Sequence, residues 1–205
     1  VLFRSLALAA VPGHPDVQAD AELAAHLERV TLGQVVEALT VVRTTRQGGA
    51  EPAPADVVFE GSFDEVNRYF YENLWSDGLP VVPPTRARID AFLAFCDRDP
   101  DEVLGTLLPD NRAATVWNTA VNGVMAGCRP EYMPILIAAT EAVLDPLYKV
   151  EDAGSTPGWE TLLILSGPIA RELGFNDGQG VMRMGRQPNT SVGRFMRLML
   201  RNIGG

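Results

Sequence analysis

The chain has few of the side chains on which common catalytic and metal sites depend. Its 205 residues include two cysteines, Cys96 and Cys128, and two histidines, His14 and His26. There is no C-x-x-C pair for thioredoxin-type exchange and no Cys/His spacing typical of a zinc site. A Ser-His-Asp centre would need one of the two histidines, and neither lies in a recognisable setting. So few cysteines give no disulfide framework, and we expect a reducing, cytoplasmic environment.

Long apolar runs and an excess of basic residues are also missing. No run approaches the ~18 apolar residues of a membrane span. Seventeen basic residues against 26 acidic ones give a net charge of −9, which favours solubility and argues against a nucleic-acid-binding surface. Residues 178–205 are the exception, because they contain no acidic residue. They carry five arginines, which predict either an internal electrostatic match or a local anion site: Arg183, Arg186, Arg194, Arg197 and Arg201.

The glycine-rich stretch at residues 174–185 matches neither common phosphate-binding motif. It lacks the Lys-Ser/Thr pair that ends a P-loop. It follows a predicted helix, whereas a dinucleotide-binding fingerprint directly follows a strand. The sequence therefore identifies no cofactor, and it indicates no metal site.

Two units are expected on either side of a Gly/Pro/Ala-rich linker at residues 46–56 (RQGGAEPAP and the following Ala-Asp). Helical spacing of apolar residues covers residues 20–40, where Gly33 could divide the segment into two helices. After the linker, Ser62 and Glu65 match a capping box, which predicts a helix over residues 62–74. Short strands are predicted at residues 57–59 and 161–165. Further helices are predicted at residues 85–96, 101–108, 113–126, 130–144, 169–173 and 190–202, so the fold class is a helix-rich α/β domain.

Cys128 is the first candidate for chemistry. It follows Gly127 and precedes Arg129 and Pro130, between two predicted helices. A thiol at a helix N-terminus next to an arginine would have a lowered pKa and a stabilised thiolate. The alternative is a small buried residue in a helix–helix turn, and that alternative is favoured more strongly for Cys96.

Polar residues in otherwise apolar or rigid surroundings supply the candidate binding groups. Asp77 lies in the proline-rich segment at residues 75–85, where it could face a ligand or simply serve a turn. Asn118 and Asn122 lie four residues apart on one predicted helix, and could bind a ligand or hold neighbouring loops. Asn176 follows a strand–turn–helix corner, while Arg194 could join Arg197 and Arg201 as an anion clamp or form a solvated helix face.

Four stretches resemble a bacterial family, the UGSC-type (seleno)proteins. They are SDGLPVVPPT, NTAVNGVMAGCRPEYMPILIAATEAVLDP, GPIARELGFNDGQG and NTSVGRFMRLMLRNIGG, of which VMAGCRPEY is the most specific. The segment ending VVEALT is similar to the tail of the family's first domain. The resemblance implies that residues 1–45 are the end of an upstream domain and that residues 57–205 are a second, C-terminally truncated domain. The family's thiol or selenol motif does not occur in this chain.

The resemblance implies thiol- or selenol-dependent redox chemistry on a small molecule, with this chain supplying a substrate pocket. Cys128 would be a nucleophile or resolving thiol, Arg129 its activator and Glu131 an acid/base. The pocket would be lined by the substrate-binding candidates Asp77, Asn118, Asn122, Asn176 and Arg194. The alternative is a non-catalytic binding or subunit-association module with methionine-rich contacts, which leaves a homo-oligomer open. A non-redox lyase or hydrolase using Asp77 and Glu131 rests only on the presence of those carboxylates.

Overall fold

The computed structural model describes residues 9–12, 18–40, 53, 55–150, 152 and 160–205. The chain separates into two compact units, residues 1–51 and 52–205. Most of the predicted linker, residues 46–52 and 54, lies outside the described residues. None of the helices in the described part of the chain has the length and apolar character that a membrane span requires.

The described residues of the first unit contain one helical stretch. Helix α1 (Asp20–His26) continues through a π-helical turn (Leu27–Thr31) into helix α2 (Leu32–Thr40). The stretch is continuous through Gly33, so the predicted division at that residue is wrong. No side chain of these three elements is buried.

The second unit is a helical domain with one small hairpin. Its helices are α3 (Phe63–Glu72), α4 (Arg86–Leu93), α5 (Val116–Met125), α6 (Met133–Leu144), α7 (Ile169–Glu172) and α8 (Gln187–Met199). Short 3-10 turns occur at Pro130–Tyr132 and Gly178–Gly180, and a π-helical turn (Leu200–Gly204) follows α8. The helix-rich α/β class predicted from the sequence is confirmed.

Helix α5 lies at the centre of this unit and packs against α4, α6 and α8. Eight of its ten residues are buried, which suits a helix covered on several sides. Strands β1 (Val103–Leu107) and β2 (Arg112–Thr115) form an antiparallel hairpin whose inner face packs on α6 and on the π-helical turn. The core is therefore formed between helices, and the hairpin closes one side of it.

Several predicted elements differ from the structure. The helix predicted at residues 101–108 is wrong, because that stretch forms strand β1 and pairs with residues that were predicted to begin a helix. The two strands predicted at residues 57–59 and 161–165 are also wrong, because neither stretch forms a regular element or pairs with any described residue. The capping box of Ser62 and Glu65 is confirmed at the start of α3.

Candidate functional site

Cys128 lies at the carbonyl end of helix α5. Gly127 adopts a left-handed φ of 78°, as expected of the residue that ends a helix. The Cys128 N–H donates to the Gly123 carbonyl at 3.0 Å, and the Gly127 N–H donates to the Val124 carbonyl at 2.9 Å. These two bonds form a Schellman motif. The predicted placement of the thiol at a helix N-terminus is therefore wrong, because its own N–H closes the preceding helix.

The Cys128 thiol is buried in the core, with 9% of the residue exposed. Burial raises the pKa of the thiol to about 12, and a hydrogen bond with Ser191 only partly offsets that rise. A charged thiolate is disfavoured in such surroundings because it loses its hydration. Of the two interpretations offered by the sequence, the small buried residue in a helix–helix turn fits this environment, and the activated thiol with a lowered pKa does not.

Arg129 and Glu131 form an ion pair with each other. The Arg129 Nε donates to Glu131 Oε1 at 2.6 Å, and Arg129 Nη2 also donates to the same oxygen. The Arg129 guanidinium carbon also lies 5.5 Å from the centroid of the Tyr132 ring, within the range of a cation–π contact. Arg129, the predicted activator, and Glu131, the predicted acid/base, therefore neutralise each other's charge. The groups that set the pKa of the thiol are the surrounding core and Ser191, not Arg129.

The structure brings together two candidates that the sequence indicated separately, Asp77 and Arg194. Arg194 Nε donates to Asp77 Oδ2 at 3.0 Å, and Arg194 Nη2 donates to Oδ1 at 2.8 Å. Nη2 also donates to the Leu79 and Pro80 carbonyls, at 3.2 and 2.9 Å. All of these contacts fasten the proline-rich loop to helix α8, so both charges are already matched inside the domain.

Asn118 and Asn122 hold backbone and side chains in place. The Asn118 side chain closes a capping box with Thr115, and its Nδ2 donates to the Ala113 carbonyl at 2.9 Å. Asn122 is buried, donates from Nδ2 to the Asn118 carbonyl at 2.8 Å, and accepts from Asn202 Nδ2 at 2.8 Å. Asn202 also donates to the Trp75 carbonyl at 3.3 Å. These amides therefore link α5 to the hairpin, to the end of the chain and to the proline-rich loop.

Asn176 lines an open cleft of about 490 Å³ beside helix α7. Its N–H donates to Asn189 Oδ1 at 2.8 Å, and its Nδ2 donates to the Arg183 carbonyl at 2.7 Å, so it braces the glycine-rich loop. Gly167, at a left-handed φ of 96°, makes the turn that opens the cleft. The cleft is lined by Gly167, Pro168, Ala170, Arg171, Glu172, Phe175, Asn176 and Asp177.

Tyr132 is a site residue that the sequence analysis missed. It is fully buried, and its hydroxyl has no hydrogen-bond partner among the described residues. Burial raises the pKa of Tyr132, the charge of Arg129 lowers it, and Cys128 raises it. Phe175, from the cleft wall, packs on Tyr132 with 6.1 Å between ring centroids. The residue stands in the PEY sequence next to Glu131, but burial of its hydroxyl is not readable from that sequence.

The arginines of the last helix do not converge on one anion. Arg194 binds Asp77, Arg197 pairs with Glu160, and Arg201 Nε donates to the Leu74 carbonyl at 3.2 Å. The three arginines therefore contact three different partners instead of one anion. Two of these partners are acidic residues of the same chain, which agrees with the predicted internal electrostatic match.

No set of three or more His, Cys, Asp and Glu side chains in the described ranges is placed to hold a metal ion. No protein-family model, curated protein or solved structure matches the chain. The resemblance to UGSC-type (seleno)proteins therefore stays a prediction drawn from the sequence motifs.

Proposed function

We propose that residues 52–205 form a small-molecule-binding module that contributes no reactive thiolate of its own. The sequence analysis offered a non-catalytic binding or subunit-association module as the alternative to an enzyme, and the proposal takes the binding form of that alternative. The observation that carries the proposal is the environment of Cys128. A nucleophilic or metal-binding cysteine needs a thiolate, and burial raises the pKa of this thiol to about 12.

The remaining charged candidates support the same proposal. Arg129 neutralises Glu131, and Arg194 neutralises a carboxylate, that of Asp77, whose side chain is only 4% exposed. A general acid or base must reach the substrate with a free proton-transfer position. Arg129 with Glu131 and Arg194 with Asp77 instead form ion pairs within the domain, as structural charged residues do.

The cleft beside α7 supplies the binding surface. Arg171 and Asn176 offer it a cation and an amide, and Phe175 offers an aromatic ring. The Tyr132 ring packs against Phe175 from the core side, and its hydroxyl is buried without a partner among the described residues. The charged lining residues are the cation Arg171 and the carboxylates Glu172 and Asp177, so we infer a small aromatic ligand that packs on Phe175 and directs its own carboxylate to Arg171.

Thiol reactivity tests the absence of a thiolate. In a Cys96→Ala variant of the 205-residue chain, iodoacetamide should leave Cys128 unmodified in the native state across the range in which an ordinary thiol of pKa ~8.5 ionises. Unfolding in guanidinium chloride should make it reactive. Cys128→Ala, which retains the half-buried Cys96, is the matched control. Rapid native alkylation of Cys128 near neutral pH would overturn the proposal.

Binding is tested by ligand-detected NMR with 4-hydroxybenzoate as the probe. The expected result is saturation transfer to the probe ring, weakened at least several-fold by Arg171→Gln and unaffected by Arg86→Gln. Arg86 is exposed and lies over Trp117, 4.7 Å from its ring centroid, so it serves as a basic-residue control outside the cleft. Equal signals from both variants, or no signal with the unaltered chain, would contradict the assignment of the cleft.

A second candidate is the thiol- or selenol-dependent redox function that the resemblance implies. Its specific support is the hydrogen bond between the Cys128 thiol and Ser191, which favours the thiolate. This candidate predicts that Cys128→Ser abolishes a thiol-dependent activity. Native alkylation decides between the two functions, because only the redox function requires an accessible Cys128.

A further inference from the structure

The charged side chains that line the cleft beside α7 are not neutralised by the protein. Arg171, Glu172 and Asp177 are exposed, and none of their side chains forms an ion pair or a hydrogen bond within the part of the chain that the structure describes. Away from the cleft, the candidate carboxylate of Asp77 is matched by Arg194. The charges of the cleft are therefore available to a ligand.

The balance of charge in the cleft lining is negative. Arg171 is the one cation, while Glu172 and Asp177 are two carboxylates. A ligand whose only charged group is a carboxylate is attracted by Arg171 but brings a third negative charge close to the other two. A ligand that also carries an ammonium group relieves this repulsion, because its three N–H donors can serve both carboxylates.

The ring of Phe175 gives the cleft a fixed apolar surface. On its core side this ring packs against the buried Tyr132 ring, with 6.1 Å between the ring centroids. A second aromatic ring from a ligand can stack on the side that faces the cleft. The volume of about 490 Å³ lies in the lower part of the ~300–1,000 Å³ range of ligand sites, which suits one ring with a short polar chain.

We propose that the ligand of this cleft is a zwitterionic aromatic α-amino acid, such as phenylalanine. Its carboxylate binds Arg171, its ammonium group binds Glu172 and Asp177, and its ring packs on Phe175. The inference rests on the binding function proposed above, and it adds an ammonium group to the aromatic carboxylate described there. The two acidic residues are thereby assigned to recognition of the ammonium group.

Solvent exposure limits the strength of the charged contacts. An ion pair between exposed groups changes an affinity by a factor of about 2 to 5. With two carboxylates to contact, the ammonium group should improve binding roughly 3- to 10-fold over the same ligand without it. Salt screens exposed charges, so this improvement should shrink when sodium chloride is raised from about 20 mM to about 500 mM.

Three probes that share one phenyl ring test the inference in ligand-detected NMR titrations of the 205-residue chain. Phenylalanine has both charged groups, phenylpropanoate lacks the ammonium group, and phenethylamine lacks the carboxylate. Phenylalanine should bind more tightly than phenylpropanoate by the factor given above. Glu172→Gln and Asp177→Asn should each weaken phenylalanine about 2- to 5-fold and should not weaken phenylpropanoate. Asp101→Asn, an exposed acidic position outside the cleft lining, is the matched control and should leave all three affinities unchanged.

The probes also distinguish failure of this inference from failure of the proposed function. If phenylpropanoate binds and Arg171→Gln weakens it, but phenylalanine binds no more tightly, the aromatic carboxylate site is retained and the ammonium contacts are overturned. Phenylalanine binding that is indifferent to both Glu172→Gln and Asp177→Asn would overturn them as well. If none of the three probes binds, the inference and the proposed binding function both fail.

Discussion

Asp77 and Arg194, 117 positions apart in the sequence, form a two-pronged ion pair between the proline-rich loop and helix α8. The carboxylate side chain is 4% exposed and the guanidinium 20%. Arg194 also donates to two carbonyls of the loop, so one side chain organises both the charge and the backbone of this segment. The pair therefore determines how the loop sits on the domain.

Arg194→Met should destabilise the second unit substantially. Removing the cation leaves the Asp77 carboxylate buried without its partner, which costs about 2–4 kcal/mol, given that the arginine keeps some solvent contact. Arg197→Met on the same helix is the control, since Arg197 and Glu160 are each 55% exposed and such pairs contribute under about 1 kcal/mol. Urea unfolding of both variants measures the difference, and equal losses would contradict the role assigned to Asp77.

Acid should weaken the domain through the same pair. Burial alone would raise the pKa of Asp77, but the hydrogen bonds and charge of Arg194 outweigh it and hold that pKa below its usual 3.8. Because the folded-state pKa lies below the unfolded one, the pair stabilises the fold above about pH 4, and its contribution is lost as the pH falls further. Stability measured against pH should therefore fall less steeply in Asp77→Asn below about pH 4. The exposed substitution Asp101→Asn should leave the slope unchanged, and a shared slope in all three proteins would disprove the prediction.

Local sequence signals predicted the ends of helices well. The capping box of Ser62 and Glu65 and the terminating role of Gly127 are both confirmed, because each depends on bonds that span only a few residues. The hairpin was missed for the opposite reason. Whether residues 103–107 form a helix or a strand depends on pairing with residues 112–115 and on packing against α6. That information is not contained in the spacing of five residues.

The candidate site shows the same contrast between local features, which the sequence predicts, and long-range contacts, which it does not. Sequence reasoning selected Asp77 and Arg194 as polar residues in unusual surroundings, but not their pairing, because one sequence does not reveal contacts between distant positions. It placed Cys128 correctly between two helices and assigned it to the wrong one of the two helix ends. The 3-10 turn that follows begins only at Pro130, and the thiol is buried among core side chains, which favour its neutral form.

Two helical glycines should respond in opposite directions to alanine. A Cβ on Gly123 of α5 would lie 2.6 Å from Leu136 Cδ1 and 2.9 Å from Phe92 Cε1, and both neighbours are buried. Overpacking of this kind costs about 1–3 kcal/mol, which exceeds the helix propensity that alanine adds. Gly193 of α8 has nothing within 4 Å of the same position, so Gly193→Ala should stabilise by about 0.5–1 kcal/mol. Thermal unfolding of the two variants checks both signs. Tolerance of Gly123→Ala would contradict the close packing of α5, and destabilisation by Gly193→Ala would contradict the open space beside α8.

Tyr132→Phe should stabilise the protein and leave binding at the cleft unchanged. The Tyr132 hydroxyl is buried and lacks a partner among the described residues, and an unsatisfied buried donor costs about 1–3 kcal/mol. Its removal should raise the free energy of unfolding by about 1 kcal/mol and the midpoint temperature by about 2–4 °C. Tyr71→Phe, at an exposed position, should change neither quantity.

Saturation transfer to 4-hydroxybenzoate should be the same in Tyr132→Phe as in the unaltered chain, because Tyr132 is not among the residues that line the cleft. Arg171→Gln should lose the saturation transfer and keep its stability, so the two substitutions separate binding from stability. Destabilisation by Tyr132→Phe would show that the hydroxyl has a partner in solution.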